Sequence, residues 1–112
     1  MQHFDLIQEY FSCYEKSDIK KLEKLLGDGF RFSSPHDKKL DKSSYFERCW
    51  GFNKSVEKYH ILKFIERNNE VFLSYIATTY DSREIENAEY FDIRDGKIVA
   101  INVYYGDLAK GY

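Results

Sequence analysis

Several features that mark particular protein classes are scarce or missing in this sequence. There is one proline in 112 residues and no linker rich in Gly, Ser or Pro. Because 43% of the residues are hydrophobic, the chain can bury a core, which excludes a disordered or low-complexity protein. No apolar run approaches the ~18 residues of a membrane span, and the first residues lack the basic and apolar regions of a signal peptide. We therefore predict one cytoplasmic domain over residues 1–112.

An excess of either charge is missing as well. The 17 Lys and Arg residues nearly balance 19 Asp and Glu residues, so we expect no nucleic-acid partner and no membrane partner. The two cysteines, Cys13 and Cys49, form no CxxC pair, and we interpret them as reduced packing residues. The 3 histidines are far apart in sequence and show no metal-ligand spacing, so we predict neither a metal nor a cofactor.

Aromatic residues, by contrast, are abundant, at 18% of the chain. In the first third they share helical spacing with aliphatic residues, which predicts two amphipathic helices. Ser17-Asp18 is typical of the N-cap of the second helix. Gly27 is typical of the residue at which such a helix ends. Ser44 and Glu47 have the spacing of a capping box, which predicts a third helix that carries Tyr45, Phe46, Cys49 and Trp50.

Strand patterns dominate the rest of the chain. Phe30–Ser33 alternates like a short strand, and longer strands are predicted at 57–66, 71–80, 85–94 and 97–105. Asp95-Gly96 is a strong hairpin signal, because both residues tolerate a positive φ. Hairpin-linked strands form an antiparallel meander, and long strands must twist and curl. Helices followed by such a sheet predict an α+β fold, with the helices on one face.

This order of elements resembles the nuclear transport factor 2-like superfamily, and two segments are similar to its SnoaL-like and ketosteroid isomerase-like group. Residues 10–18 (YFSCYEKSD) resemble the end of that group's first helix, and residues 89–99 (EYFDIRDGKIV) resemble its penultimate hairpin. The resemblance covers nearly the whole chain. It implies a cone-shaped barrel of a curled antiparallel sheet with three N-terminal helices, which is a cystatin-like α+β fold. It also implies a homodimer formed through the sheet.

The resemblance also implies roles for individual residues. Tyr10 falls at the tyrosine of the group's oxyanion hole, and Glu89 falls at its protonated acid. The group's general base is an aspartate, but Ser34 stands at that position. The group that moves the proton therefore stays open among His36, Asp37 in the same loop, the strand residue His60, and a group on the substrate.

Glu89 also stands out without the resemblance. Period-two alternation places it on one strand face with Ile85, Phe91 and Ile93. A carboxyl on an apolar face has its pKa raised by desolvation, so it is either protonated or paired. Alternatively, Glu89 reaches solvent at the strand end or bonds a neighbouring tyrosine, because Asn87 shares its face. Tyr10 has a similar alternative, as a packed helix residue with its hydroxyl at the rim.

The aromatic residues predict an apolar pocket between the sheet and the helices, although periodicity does not separate pocket wall from core. The residues expected to line it are Trp50, His60, Phe64, Tyr75, Phe91 and Tyr104. From this we expect a small hydrophobic ligand, and either of two functions. One is a cofactor-free isomerase, cyclase or dehydratase that acts on a small hydrophobic carbonyl compound. The other is a non-catalytic ligand-binding or dimerisation domain, in which the face formed by Val99, Ile101, Val103 and Tyr105 is core or interface.

Overall fold

Three α-helices and a short 3-10 helix pack against one curled sheet in the computed structural model, which describes residues 3–106. This confirms the predicted α+β class. The helices are α1 (His3–Glu15), α2 (Ile19–Leu25) and α3 (Lys42–Cys49), followed by the 3-10 helix Trp50–Lys54. The strands are β1 (Leu26–Ser33), β2 (Val56–Arg67), β3 (Glu70–Thr79), β4 (Glu84–Arg94) and β5 (Lys97–Tyr105). None of the helices in the described part of the chain is long and apolar enough to cross a membrane.

The helix caps agree only in part with the sequence patterns. Asp18 caps α2 as predicted, since its Oδ1 accepts a hydrogen bond from the Lys21 amide at 3.1 Å. The capping box predicted at Ser44 is wrong, because Asp41 supplies a carboxylate acceptor one turn earlier. Its Oδ1 accepts from the Ser44 amide at 2.9 Å, so α3 begins at Lys42 and Ser44 lies inside it.

Gly27 has a different role from the predicted helix stop. Helix α2 ends at Leu25, and Leu26 is already extended, with φ −90° and ψ 132°. Gly27 follows it in β1, where a Cβ atom would lie 3.0 Å from Val99 Cγ1 and 3.2 Å from Lys97 Cβ. Glycine therefore suits the close approach of β1 to β5 at this position, and it does not form a left-handed cap.

The sheet has the strand order β1-β5-β4-β3-β2. Strands β2 to β5 form the predicted antiparallel meander, and the Asp95-Gly96 turn has the expected positive φ values of 52° and 74°. Strand β1 pairs with β5 in parallel, so the sheet as a whole is mixed. Since β1 and β2 remain at its two edges, the curled sheet is not closed into a complete barrel.

A β-bulge in β2 changes which residues face the helices. Ile61 pairs with Tyr75 and Lys63 pairs with the next residue, Ser74, so Leu62 is an extra residue between two partners. The alternation of β2 therefore reverses at Leu62. Phe64 contacts Phe4 of α1, with ring centroids 5.0 Å apart, whereas the side chain of His60 is exposed on the other face. Both residues were expected to line the pocket, and for His60 this expectation is therefore wrong.

Candidate functional site

A cavity of about 660 Å³ lies between the helices and the inner face of the sheet. This volume is in the range of small-molecule sites, roughly 300–1,000 Å³. Its walls are largely aromatic and draw on α1, α3, the 3-10 helix and all five strands. They include the tyrosines Tyr10, Tyr14, Tyr45, Tyr59, Tyr75 and Tyr105, and the phenylalanines Phe11, Phe32 and Phe52.

Glu89 of β4 contributes a buried carboxyl group to this cavity. Its neighbours on the inner face, Phe91 and Ile93, are fully packed, and Glu89 itself is 2% exposed. Desolvation raises the pKa of Glu89 to about 8, while contacts with the hydroxyls of Tyr75 and Tyr10 act in the opposite direction. The carboxyl is therefore mainly protonated at neutral pH, so it can donate a hydrogen bond into the cavity.

Tyr10 brings a second hydroxyl to the same place, from the inner face of α1. Its Oη donates to Glu89 Oε2 at 3.4 Å and lies 3.3 Å from Tyr45 Oη. Both distances are long for an O–H···O hydrogen bond, so the Tyr10 hydroxyl is not tightly held by either neighbour. Burial raises the pKa of Tyr10 well above its usual value, which keeps the phenol a neutral donor.

The hydrogen bonding extends beyond Tyr10 through two further tyrosines. Tyr45 Oη lies 2.5 Å from Tyr14 Oη, so the hydroxyls of Tyr14, Tyr45 and Tyr10 form a chain that ends at Glu89. Burial raises the pKa values of Tyr14 and Tyr45 as well. Neither Tyr14 nor Tyr45 is among the site residues predicted from the sequence. Tyr14 was detectable, since it follows Tyr10 by one helical turn, but nothing local links Tyr45 of α3 to α1.

Tyr75, one of the residues expected to line a pocket, borders the cavity from β3 and is 6% exposed. Asn87 of β4 borders the same space, and its Nδ2 donates to Tyr75 Oη at 3.3 Å. The Asn87 side chain is itself held by the Gly106 amide, which donates to its Oδ1 at 3.2 Å. Asn87 thus shares the inner face with Glu89, as the strand alternation indicates, and fixes the Tyr75 hydroxyl.

The loop after β1 brings His36 and Asp37 to the cavity, but not Ser34. Ser34 is buried in a tight turn that two backbone hydrogen bonds close. The Ser34 amide donates to the Asp37 carbonyl at 2.8 Å, and the Asp37 amide donates to the Ser34 carbonyl at 3.2 Å. Its hydroxyl accepts from the His36 amide at 3.2 Å. Asp37 is paired with Arg48, whose Nε lies 2.7 Å from Asp37 Oδ1. The His36 ring packs against Tyr105, with centroids 5.5 Å apart.

Three predicted pocket residues belong to the packing around the cavity instead of its lining. Trp50 lies against Tyr14, with ring centroids 4.9 Å apart. Phe91 is fully buried next to Tyr10, at a centroid distance of 5.4 Å, and Phe64 packs on α1. All three face inward, as the pattern indicates, but periodicity gives the face of a residue and not its distance from the cavity.

Two further predicted pocket residues, His60 and Tyr104, lie on the outer face of the sheet. His60 is outside because the β2 bulge follows it. Tyr104 points outward because its neighbours Val103 and Tyr105 line the cavity. It is 49% exposed and stacks on Phe72, with a centroid distance of 6.0 Å. Neither His60 nor Tyr104 can contact a ligand in the cavity.

Solved structures match nearly the whole chain, although no protein-family model and no curated protein matches it. An NTF2-like protein of unknown function from Cytophaga hutchinsonii is 20% identical, with 95% of this chain and 91% of that chain covered and a TM-score of 0.75. IdmH from Streptomyces antibioticus, a candidate polyketide cyclase, is 15% identical, with coverages of 92% and 91% and a TM-score of 0.78. A candidate ketosteroid isomerase from Kribbella flavida is 14% identical, with coverages of 92% and 76% and a TM-score of 0.73.

The chain therefore has the nuclear transport factor 2-like fold, as its sequence predicts. At identities of 20% or less, this likeness establishes the fold and not an activity, because folds of this kind host unrelated functions. The names of IdmH and of the Kribbella flavida protein describe those two proteins only. The function of this chain has to be argued from its own cavity.

Proposed function

We propose that the chain binds a small, mainly hydrophobic carbonyl compound in this cavity. The observation that carries the proposal is the carboxyl of Glu89, buried in an aromatic cavity beside the loosely held hydroxyl of Tyr10. The aromatic walls suit an apolar ligand body, and the two hydroxyl donors suit a carbonyl oxygen. The long Tyr10 contacts leave that hydroxyl free to turn toward a ligand.

The same arrangement supports catalysis of the isomerase, cyclase or dehydratase kind without a cofactor. In such reactions a proton leaves the carbon beside a carbonyl, and negative charge develops on the carbonyl oxygen. Glu89 and Tyr10 would stabilise that oxyanion, and each such donor typically lowers the barrier by ~3 kcal/mol. The names of IdmH and of the Kribbella flavida protein are consistent with this class of chemistry.

Of the candidate proton acceptors, His36 is the one that we propose. It borders the cavity, and an imidazole nitrogen can accept a proton as a general base. Asp37 also borders the cavity, but its carboxylate is engaged by Arg48. His60 lies on the opposite face of the sheet. A basic group on the substrate is the remaining alternative.

The second candidate function is binding without catalysis. It is favoured by Ser34, whose hydroxyl is occupied within its own turn and supplies no base at the position where the related enzymes have one. Exchange of α-protons separates the two functions. We would incubate the protein with 2-tetralone, a small bicyclic ketone, in deuterated water and follow the loss of the α-proton NMR signals. An enzyme accelerates this exchange and loses about a hundredfold in rate on Tyr10→Phe, whereas a binding protein leaves the rate unchanged.

Binding itself is tested with 2-naphthol, whose ring and hydroxyl mimic the enol of that ketone. We expect Tyr10→Phe to weaken binding about tenfold, the value of one good hydrogen bond. Glu89→Gln should weaken it less, because the amide still donates. Tyr104→Phe removes the same atom from the outer face and is the matched control. Equal affinities in all four proteins would contradict the assignment of Tyr10 and Glu89 as ligand-binding groups.

We also propose that the outer face of the sheet pairs with a second copy of the chain. Support comes from neighbouring apolar side chains on that face. Ile65 pairs with Phe72 across two strands, and they are 67% and 46% exposed. Phe72 stacks on Tyr104. Sedimentation analysis should show a concentration-dependent dimer that Phe72→Lys disrupts, and a wild-type monomer at all concentrations would contradict the proposal.

A further inference from the structure

Arg48 places a positive charge beside the largely aromatic cavity. It lies in the last turn of α3, borders the cavity, and its side chain is 56% exposed. Within residues 3–106 it is the only lysine or arginine that lines this space. Its exposure places it where the cavity meets solvent, whereas Glu89 at 2% exposure lies inside.

The position of Arg48 is set by the turn that carries Asp37. Two backbone hydrogen bonds between Ser34 and Asp37 close this turn, and the Asp37 side chain is only 13% exposed. Asp37 Oδ1 accepts from Arg48 Nε at 2.7 Å, which anchors the guanidinium on one side. An arginine has five N–H donors, and a pair of them matches a carboxylate. In the described part of the chain neither Nη atom of Arg48 has a hydrogen-bond partner.

We propose that the ligand of this cavity carries a carboxylate in addition to its carbonyl, and that the Nη atoms of Arg48 bind this carboxylate at the cavity mouth. This rests on the proposed function and narrows its substrate class to small, mainly apolar oxo acids. The two polar groups of the ligand match two separate parts of the protein. The carbonyl reaches Glu89 and Tyr10, and the carboxylate remains near solvent beside Arg48.

Asp37 has two opposing effects on such a ligand. It holds the guanidinium in place, but its negative charge repels a second carboxylate nearby. Removing Arg48 and removing the charge of Asp37 break the same ion pair, yet they change the local charge in opposite directions. Opposite effects of the two substitutions would therefore report on electrostatic recognition and not on general damage to the cavity mouth.

The experiment compares ligands that differ only in the carboxylate. We would measure the dissociation constants of 2-naphthol and 6-hydroxy-2-naphthoate. A longer pair, 4-phenylphenol and 4′-hydroxybiphenyl-4-carboxylate, allows for a different distance between the two polar groups. The wild-type protein should prefer the carboxylate member of at least one pair by about fivefold, the upper range for a partly exposed ion pair. Arg48→Gln should abolish this preference, and Asp37→Asn should increase it.

The outcomes separate this inference from the proposed function. If neither phenol binds the wild-type protein, the proposed function fails, and this inference fails with it. If the phenols bind but neither carboxylate is preferred, the Arg48 subsite is wrong and the proposed function stands. The subsite is also wrong if Arg48→Gln and Asp37→Asn shift the preference in the same direction.

Discussion

The buried carboxyl of Glu89 predicts a pH-dependent stability that one conservative substitution removes. The pKa of Glu89 rises from 4.5 to about 8 on folding. Between these values the unfolded chain loses the proton while the folded chain keeps it, so the free energy of unfolding falls as the pH rises. Each pKa unit corresponds to about 1.4 kcal/mol, so the full loss reaches roughly 5 kcal/mol by pH ~8 and then levels off. Below pH ~4.5 Glu89 is protonated in both the folded and the unfolded state, so it does not make the free energy of unfolding depend on pH.

Glu89→Gln removes this titration and keeps the shape of the side chain. The free energy of unfolding should be measured by urea denaturation across this pH range for the wild type and the variant. As the pH rises, we expect the free energy of unfolding of the wild type to fall relative to that of Glu89→Gln, by up to roughly 5 kcal/mol. Glu86→Gln is the matched control, since Glu86 is an exposed residue of the same strand. Parallel wild-type and Glu89→Gln profiles would refute the reasoning.

Three further substitutions test the packing around the site, each by urea denaturation. Tyr45→Phe removes the hydroxyl that links the hydroxyls of Tyr10 and Tyr14, and it should destabilise the fold by about 1–3 kcal/mol. The exposed control Tyr104→Phe should cause almost no change. Gly106→Ala should lower the free energy of unfolding by more than Gly51→Ala does. The added Cβ would lie 2.4 Å from a carbonyl oxygen of β4 at Gly106, and at Gly51 it would contact nothing within 4 Å. Asp41→Ala should destabilise the fold by about 1 kcal/mol through loss of the α3 cap, and no loss would contradict that assignment.

The parts of the fold that could be predicted are those fixed by local chemistry. The Asp95-Gly96 turn follows from the tolerance of both residues for a positive φ, which the turn requires. The inward placement of Glu89 follows because the alternation of β4 is unbroken around it. The same rule places Tyr75 and Asn87 on the inner face. For these three residues the regular strand pattern predicts the face correctly.

The parts that could not be predicted depend on contacts between distant segments. The bulge at Leu62 is an extra residue relative to β3, and nothing in the β2 sequence alone reveals it. For this reason the sequence predicts the wrong face for His60. The parallel pairing of β1 with β5 requires the whole chain between them to be folded. Tyr45 meets Tyr10 and Tyr14 only through the packing of α3 on α1, and for this reason the third member of the tyrosine chain was missed.

The crowding of phenols around one cavity also gives the protein a built-in optical signal. Burial raises the pKa values of Tyr10, Tyr14, Tyr45, Tyr59 and Tyr75. In an alkaline titration we expect these five tyrosines to resist ionisation, so their ultraviolet absorbance should change mainly when the cavity opens or the chain unfolds. Their fluorescence depends on the same surroundings. A molecule that enters the cavity is therefore reported by the residues that enclose it, without any added label.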